Sequence, residues 1–384
     1  MIGIQGDLLD LAGRPTSVQN AIDTLGETEQ DERGAVFTRP EVVEFILDLV
    51  GYSPEQPLSK MRLLEPSIGK GAFLVAALQR LLLSFHSQGG ASSSAERELS
   101  DAICGFELHS ASLLSTRQRC QELLIEAGFS ETTSCILLDR WLHLDDFLLN
   151  DLGGAFHFVV GNPPYVRQEA IPGILLAEYR RKFHTLYDRA DLFVPFFQKG
   201  LSLLDQGGRL GFICSDRWLK NRYGGPLRQL IRESFSLDIV VDMNDTDAFE
   251  GRVSAYPAIT VVSRANQNGI RFFSKPEVKR SSLKSLARDL TARLPSQNRR
   301  VEEGPACGEG QDPWLLGNFS LLEVISRIES GFPTLADAGC QVGIGVATGC
   351  DRVFVREQGG LPIENEALLT FLWVPKTPFL VATP

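Results

Sequence analysis

From Pro40 to Val262 one arrangement recurs: a short apolar run, then a longer stretch with apolar residues at helical spacing. Such alternation is the signature of strands separated by helices. The runs that read as strands are Met61–Leu64, Ala102–Phe106, Cys135–Leu138, Phe158–Val160, Arg209–Cys214, Leu237–Val241 and Ala258–Val262. Helices are expected over Pro40–Val50, Gly71–Phe85, Ser110–Ala127, Ala190–Leu204 and Gly225–Glu233. Pro40 in a first turn and Gly51 just past a last one fit a helix start and stop. Parallel strands need a crossover and antiparallel ones do not, so this spacing predicts an α/β fold. The expected core is a seven-stranded, mostly parallel sheet with helices on both faces. The alternation fades after about residue 265, where Pro, Gly and charge rise. The sequence therefore divides into a polar, loose N-terminal arm over 1–34, a domain over 35–265 and a basic remainder over 266–384.

In an open α/β sheet, ligands sit beyond the carboxyl ends of the strands. The junction after the first expected strand reads Glu65-Pro66-Ser67-Ile68-Gly69-Lys70-Gly71-Ala72-Phe73. Gly69 and Gly71 let a ligand approach the backbone, and the helix start beyond them offers free N–H groups to a carboxylate. The spacing fits neither the phosphate loop nor the Gly-x-Gly-x-x-Gly fingerprint. Glu107 ends the second strand, where an acid can accept from the ribose hydroxyls of a nucleoside cofactor. Asp146 can accept from an adenine amine, with Phe147 against the ring; two surface carboxylates before a helix is the other reading. Phe37 and Thr38 precede the first helix, where Thr38 also reads as a cap.

Asn162-Pro163-Pro164-Tyr165 follows the fourth strand. The Asn162 side-chain oxygen and the Pro163 carbonyl can accept the two N–H groups of an amine whose lone pair is delocalised into a planar ring. That pull favours a tetrahedral nitrogen and frees its lone pair for in-line attack. Two prolines fix the backbone there, and Tyr165 offers a flat face for a base. A Pro-Pro turn closing a strand is the alternative for these four residues alone.

A net charge of −10 argues at first against nucleic acid. Distribution matters more: from Arg264 to Arg300 there are ten basic residues against two acidic ones. A second basic group, including Arg217, Lys220 and Arg222, follows the Asn-Pro-Pro-Tyr region. Seven cysteines without a Cys-x-x-Cys pair argue for free thiols in a reducing cytoplasm. No metal-ligand spacing, no secretory signal and no apolar run of membrane length is visible.

Together, and in this order, Glu-Pro-Ser-x-Gly-x-Gly-x-Phe, Gly105-Phe106-Glu107, Asp145-Asp146-Phe147 and Gly161-Asn162-Pro163-Pro164-Tyr165 resemble the amino-group DNA methyltransferases. The likeness is to the Eco57I-like adenine methylases of restriction-modification systems. Phe37-Thr38-Arg39-Pro40, Val166-Arg167-Gln168-Glu169 and Tyr187-Asp188-Arg189-Ala190-Asp191-Leu192-Phe193 add to it, as does Gly207 to Ile213. It covers residues 35–265, and Gly343 to Val355 is similar to the opening of a target-recognition part.

The resemblance implies a Rossmann-like methyltransferase fold with a partial target-recognition region after it. It implies S-adenosyl-L-methionine as cofactor, held by Phe37, Thr38, Glu65, Pro66, Ser67, Gly69, Gly71, Phe73, Glu107, Asp146, Phe147 and Asn162. Asn162, Pro163, Pro164 and Tyr165 become the catalytic residues, acting without a metal on the N6 amine of an adenine flipped out of duplex DNA. Arg167, Gln168, Lys220, Arg222, Lys279, Arg280 and Thr348 are the expected DNA contacts. A separate restriction or specificity subunit is a further expected partner, the cytoplasm the expected location, and a membrane is not expected. Such enzymes carry a longer recognition region, so a truncated or split one is expected here; no nuclease-like block precedes residue 35, so cleavage by this chain alone is not. Methylation of protein glutamine or RNA by the same chemistry, and a silent DNA-binding subunit retaining the fold, are the competing readings.

Overall fold

The computed structural model describes residues 14–27, 36–251, 256–266, 269–292, 298–305, 310–333 and 337–339. They fall in two compact units, Met1–Val324 and Ile325–Pro384. The first unit holds a sheet of nine strands: β1 Leu63–Glu65, β2 Ile103–Glu107, β3 Leu142–Leu144, β4 Phe156–Gly161, β5 Leu204–Ser215, β6 Ser236–Asp242, β7 Pro257–Ser263, β8 Ile270–Ser274 and β9 Glu302–Gly304. Their order is β3-β2-β1-β4-β5-β7-β6-β8-β9. From β3 to β5 every pairing is parallel. Only β7 runs the other way between β5 and β6, and β9 runs antiparallel at the β8 edge. The chain winds outward from β1 in one direction and from β4 in the other. Their shared carboxyl end is thus the switch point at which a doubly wound sheet opens a ligand crevice.

The helices are α1 Thr16–Glu27, α2 Pro40–Val50, α3 Ala72–Ser87, α4 Ala95–Leu99, α5 Ser110–Glu126, α6 Glu131–Trp141, α7 Gly173–Lys182, α8 Phe193–Ser202, α9 Arg217–Lys220, α10 Gly225–Ser234, α11 Arg280–Thr291 and α12 Phe319–Glu329. They cover both faces. Ile46 of α2, Leu78 of α3, Leu138 of α6 and Leu286 of α11 share one core with Leu63 and Val160. Ile22 of α1, Tyr179 of α7, Phe197 of α8 and Leu227 of α10 share the other with Leu64 and Val159. Successive strand residues point to opposite faces, so a strand buried on both sides is a continuous apolar run.

Three expectations need correction. The sheet has nine strands, not seven: β8 and β9 extend it past residue 265. In β8, Ile270, Phe272 and Phe273 are buried and Arg271 lies between the first two, so a short strand paired with both β6 and β9 hides among charges. Cys135–Leu138 is not a strand but the middle of α6. Ser130 caps that helix by accepting the Thr133 N–H, and Ser134, Leu137, Leu138 and Trp141 form its buried stripe. The third strand is the segment directly after it, Leu142–Leu144. Finally, residues 16–27 are no loose arm. Val18, Ile22 and Leu25 recur at helical spacing and are buried. The parts of the arm at 1–13 and 28–35 lie outside the described residues.

Candidate active site

The β1–α3 junction builds the floor of the site. Gly69 and Gly71 have φ of +56° and +75°, left-handed values that favour glycine. A Cβ on Gly71 would stand 2.5 Å from the Thr116 methyl, so α5 passes close beneath this turn. Glu107, at the tip of β2, holds the same loop. Its Oε2 accepts the Gly69 N–H at 2.6 Å and its Oε1 the His109 N–H at 2.9 Å. Each carboxylate oxygen keeps further lone-pair capacity for a ligand hydroxyl. Glu65 is 1 % exposed and its Oε2 has no partner among the described residues. Burial, and then the nearby Glu107 carboxylate, push the Glu65 carboxyl well above the usual range.

The wall beyond β3 is Asp145-Asp146-Phe147. Arg14, just before α1, grips Asp145 with two bonds of 2.5 and 2.8 Å, and Asn150 adds a third at 2.7 Å. Asp146 is buried, accepting the Leu149 N–H at 2.6 Å and the Tyr179 hydroxyl of α7. Burial raises its pKa, an effect those two bonds only partly offset. The Phe147 ring packs against Phe106 and Phe196 with centroids 5.7 and 5.3 Å away.

Asn162 follows β4 and faces the segment before α2. Its Nδ2 donates to the Val36 carbonyl at 2.7 Å and to Thr38 Oγ1 at 3.2 Å. A carbonyl only accepts, so this contact fixes which end of the amide is nitrogen. The Oδ1 is left buried with no partner among the described residues. Ser67 Oγ donates to the Asn162 carbonyl at 3.1 Å, joining this turn to the β1 loop. Phe37 and Thr38 are held in turn by residues 248–250, through Arg39 N–H to the Ala248 carbonyl at 3.0 Å and Glu250 N–H to the Phe37 carbonyl at 2.9 Å. Lys70 Nζ sits 3.8 Å from the centroid of the Phe37 ring. Thr38 does not cap α2, whose start has no side-chain cap.

These parts enclose a cavity of about 430 Å³. Phe37, Thr38, Glu65, Pro66, Ser67, Gly69, Phe73, Glu107, Asp146, Phe147, Asn162 and Pro164 all line it. Gly71 shapes its floor from below, while Pro163 and Tyr165 are not among the lining residues. Tyr165 stands between Phe193 and Phe249, each ring centroid 6.5 Å away, and its hydroxyl reaches the Ile213 carbonyl at 3.4 Å. The volume suits a small ligand. Two orphaned buried acceptors and an acid at the tip of β2 fit a nucleoside carrying a donor-rich arm. Among the described residues, no cluster of His, Cys, Asp and Glu could hold a metal ion, and no helix is long and apolar enough to cross a membrane.

The expected DNA contacts do not form one group. Arg167, Lys220 and Arg222 are exposed around the loops after β4 and β5. Arg180 bonds the Gln168 side chain at 2.6 Å, and Lys220 pairs with Asp216 at 2.7 Å. Lys279 pairs with Glu277, while Arg280 opens α11 and lines the cavity. Much of the 264–300 cluster is engaged internally: Lys275 with Asp245, Arg271 with Glu303, and Arg300 over the Phe273 ring. Thr348 and the segment around it lie outside the described residues. No local pattern marks Arg14 or Tyr179, which act across 131 and 33 residues; only distance in the chain hides them.

Residues 99–249 match the family described as Eco57I restriction-modification methylase. The chain is 48 % identical over 350 residues to the type II methyltransferase M.PaeR7I of Pseudomonas aeruginosa, covering 91 % of this chain and 60 % of that protein. It is 45 % identical over 338 residues to M.XhoI of Xanthomonas vasicola, covering 87 % and 62 %. The chain thus spans about three fifths of the length of these relatives. Among solved structures, a modification subunit of a putative type I restriction enzyme from Vibrio vulnificus superposes with a TM-score of 0.54 at 16 % identity, over 81 % of this chain and 64 % of that one. The EcoKI M protein gives 0.52 at 13 %, over 90 % and 80 %. At such identities the likeness is one of fold: the class I methyltransferase arrangement.

Proposed function

The chain is a relative of the Eco57I restriction-modification methylases and the type II methyltransferases, and from that premise we propose that it methylates the N6 amine of an adenine flipped out of duplex DNA. The observation that carries this reading is the Asn162 amide. Its nitrogen is spent on Val36 and Thr38, and its buried oxygen meets no donor among the described residues, leaving it to a ligand. A neutral acceptor beside a cavity suits an amine that must shed its conjugation to react, and the Pro163 carbonyl serves as the second acceptor.

S-adenosylmethionine, when bound, supplies a methyl group on a sulfonium leaving group. The protein's part is then position and electrostatics. Gly69, Gly71 and Glu107 hold the ribose end, Asp146 and Phe147 the adenine, and Glu65, Phe37 and Thr38 the amino-acid arm. A base inside the duplex stack is out of reach, so the target must swing out, with Tyr165 as its stacking face. Arg167, Gln168, Lys220, Arg222, Lys279, Arg280 and Thr348 contact the DNA. Residues 266–384 contain the start of target recognition, with a separate specificity or restriction subunit as partner in the cytoplasm.

Purified protein incubated with methyl-labelled S-adenosylmethionine and unmethylated genomic DNA tests this directly. Label recovered as N6-methyladenine after nucleoside analysis supports it. Label in another nucleoside, in RNA or in protein overturns it.

A further inference from the structure

Lys199 of α8 is 8 % exposed, and among the described residues no carboxylate is bonded to its ammonium. It reaches instead into the 146–151 loop. Its Nζ donates to the Phe147 carbonyl, to the Asn150 carbonyl at 2.5 Å and, more weakly, to the Leu148 carbonyl at 3.4 Å. It also stands 4.6 Å from the centroid of the Phe147 ring. An ammonium has three N–H donors, and three carbonyls receive them. Burying a lysine this way is costly. The contact does something an apolar side chain could not: it ties the backbone that presents Asp146 and Phe147 to the cavity. Phe196, one turn earlier on α8, packs on Phe147 from the same helix.

Resting on the S-adenosylmethionine reading above, we propose that Lys199 is a positioning residue of the cofactor site. By gripping the Phe147 and Asn150 carbonyls from behind, it sets the wall on which the cofactor's adenine rests. The device depends on charge, because a neutral amine has only two N–H donors for three carbonyls. Burial holds the Lys199 ammonium down to a pKa of about 8, against the opposing pull of Asp146, Asp151 and Asp145 and with help from Lys182. Cys104 is a further titratable group in its field, pushed up to about 12 by burial and thus neutral in the same range. The signs separate this role from a merely structural one. A lysine depressed in the folded state costs stability while charged, and the cost fades as pH rises through the folded pKa. The grip on the loop, by contrast, weakens over that same rise.

The test is the affinity for S-adenosylmethionine, by calorimetry, of wild type, Lys199→Met and Lys199→Arg between about pH 7 and about pH 9.5. The cofactor's own α-amino group titrates in this window, so the readout is the ratio of variant to wild-type affinity, in which that titration cancels. At about pH 7, Lys199→Met binds about five-fold weaker or worse, as loss of charged hydrogen bonds implies. The gap closes to within about two-fold at the alkaline end, where wild type has lost its own proton. Lys199→Arg, charged throughout, gains on wild type as pH rises, and decides the matter if the Met variant does not fold. A ratio that stays constant with pH for both variants, or Lys199→Met equal to wild type at neutrality, overturns the proposal. No binding by wild type at any pH overturns the cofactor reading and this inference with it.

Discussion

Asn162 and Val36, 126 residues apart, are joined by a 2.7 Å bond from the Asn162 amide nitrogen to the Val36 carbonyl. This one contact orients the amide. With Thr38 Oγ1 as second acceptor, the nitrogen has no proton left to offer a ligand, and the oxygen accepts from no donor among the described residues. The segment before α2 is therefore tied to the Asn162 turn, although it lies far from it in sequence.

Gly71→Ala tests the floor of the site. At φ +75° an L-residue is strained, and its Cβ would meet Thr116 at 2.5 Å. The expected loss is about 1–3 kcal/mol of stability in urea unfolding, with weakened cofactor binding. An unchanged midpoint contradicts the placement of α5 beneath the turn.

The Arg14–Asp145 pair predicts an acid-sensitive link between α1 and the β3 wall. Burial alone would raise the Asp145 carboxyl, but the bonds from Arg14 and Asn150 outweigh it and leave it below the usual carboxylate range. Its stabilisation is then present above the unfolded pKa of about 4 and lost as pH falls through the lower folded value. Arg14→Ala should cost about 1–3 kcal/mol at neutral pH, and less as the pH drops below about 4. A cost that is the same at both pH values counts against the pair.

Exposed cations on the loops after β4 and β5 should report on DNA. Arg167→Ala and Arg222→Ala are each expected to weaken binding and to reduce the slope of log affinity against log salt by about 0.9. Lys275→Ala, whose ammonium is 2.6 Å from Asp245, should leave the slope alone. Filter-binding titrations at several salt concentrations distinguish these, and an unchanged slope in the first two removes them from the interface.

Much of this molecule is legible from local pattern. The helix over Pro40–Val50 and the strands at Ile103, Phe158 and Ile259 follow from periodicity, because each buries a full face or both faces of an element. The cavity-lining residues after β1, β2 and β4 follow from the rule that ligands gather at strand ends. What escapes is of two kinds. Cys135–Leu138 is an apolar run too short to reveal its period, and its helical nature is decided by the Ser130 cap and by Trp141 packing at the far end. Arg14, Tyr179 and Lys199 act through contacts that only folding creates, joining α1, α7 and α8 to one short loop.

The central claim is that the Asn162 oxygen receives the reacting amine. Its most direct test is Asn162→Ala, measured for both methyl transfer to DNA and S-adenosylmethionine affinity. Because the substitution also releases Thr38, which the proposed reading places on the cofactor's amino-acid arm, a Thr38→Val control measures how much cofactor affinity that hydroxyl carries. The account predicts that transfer falls by about 100-fold or more, the scale of losing one preorganised transition-state contact, while cofactor affinity stays within about five-fold and matches the control. Transfer that falls only in step with cofactor affinity would contradict it, and would make Asn162 a tether for the segment before α2 rather than the acceptor of the amine.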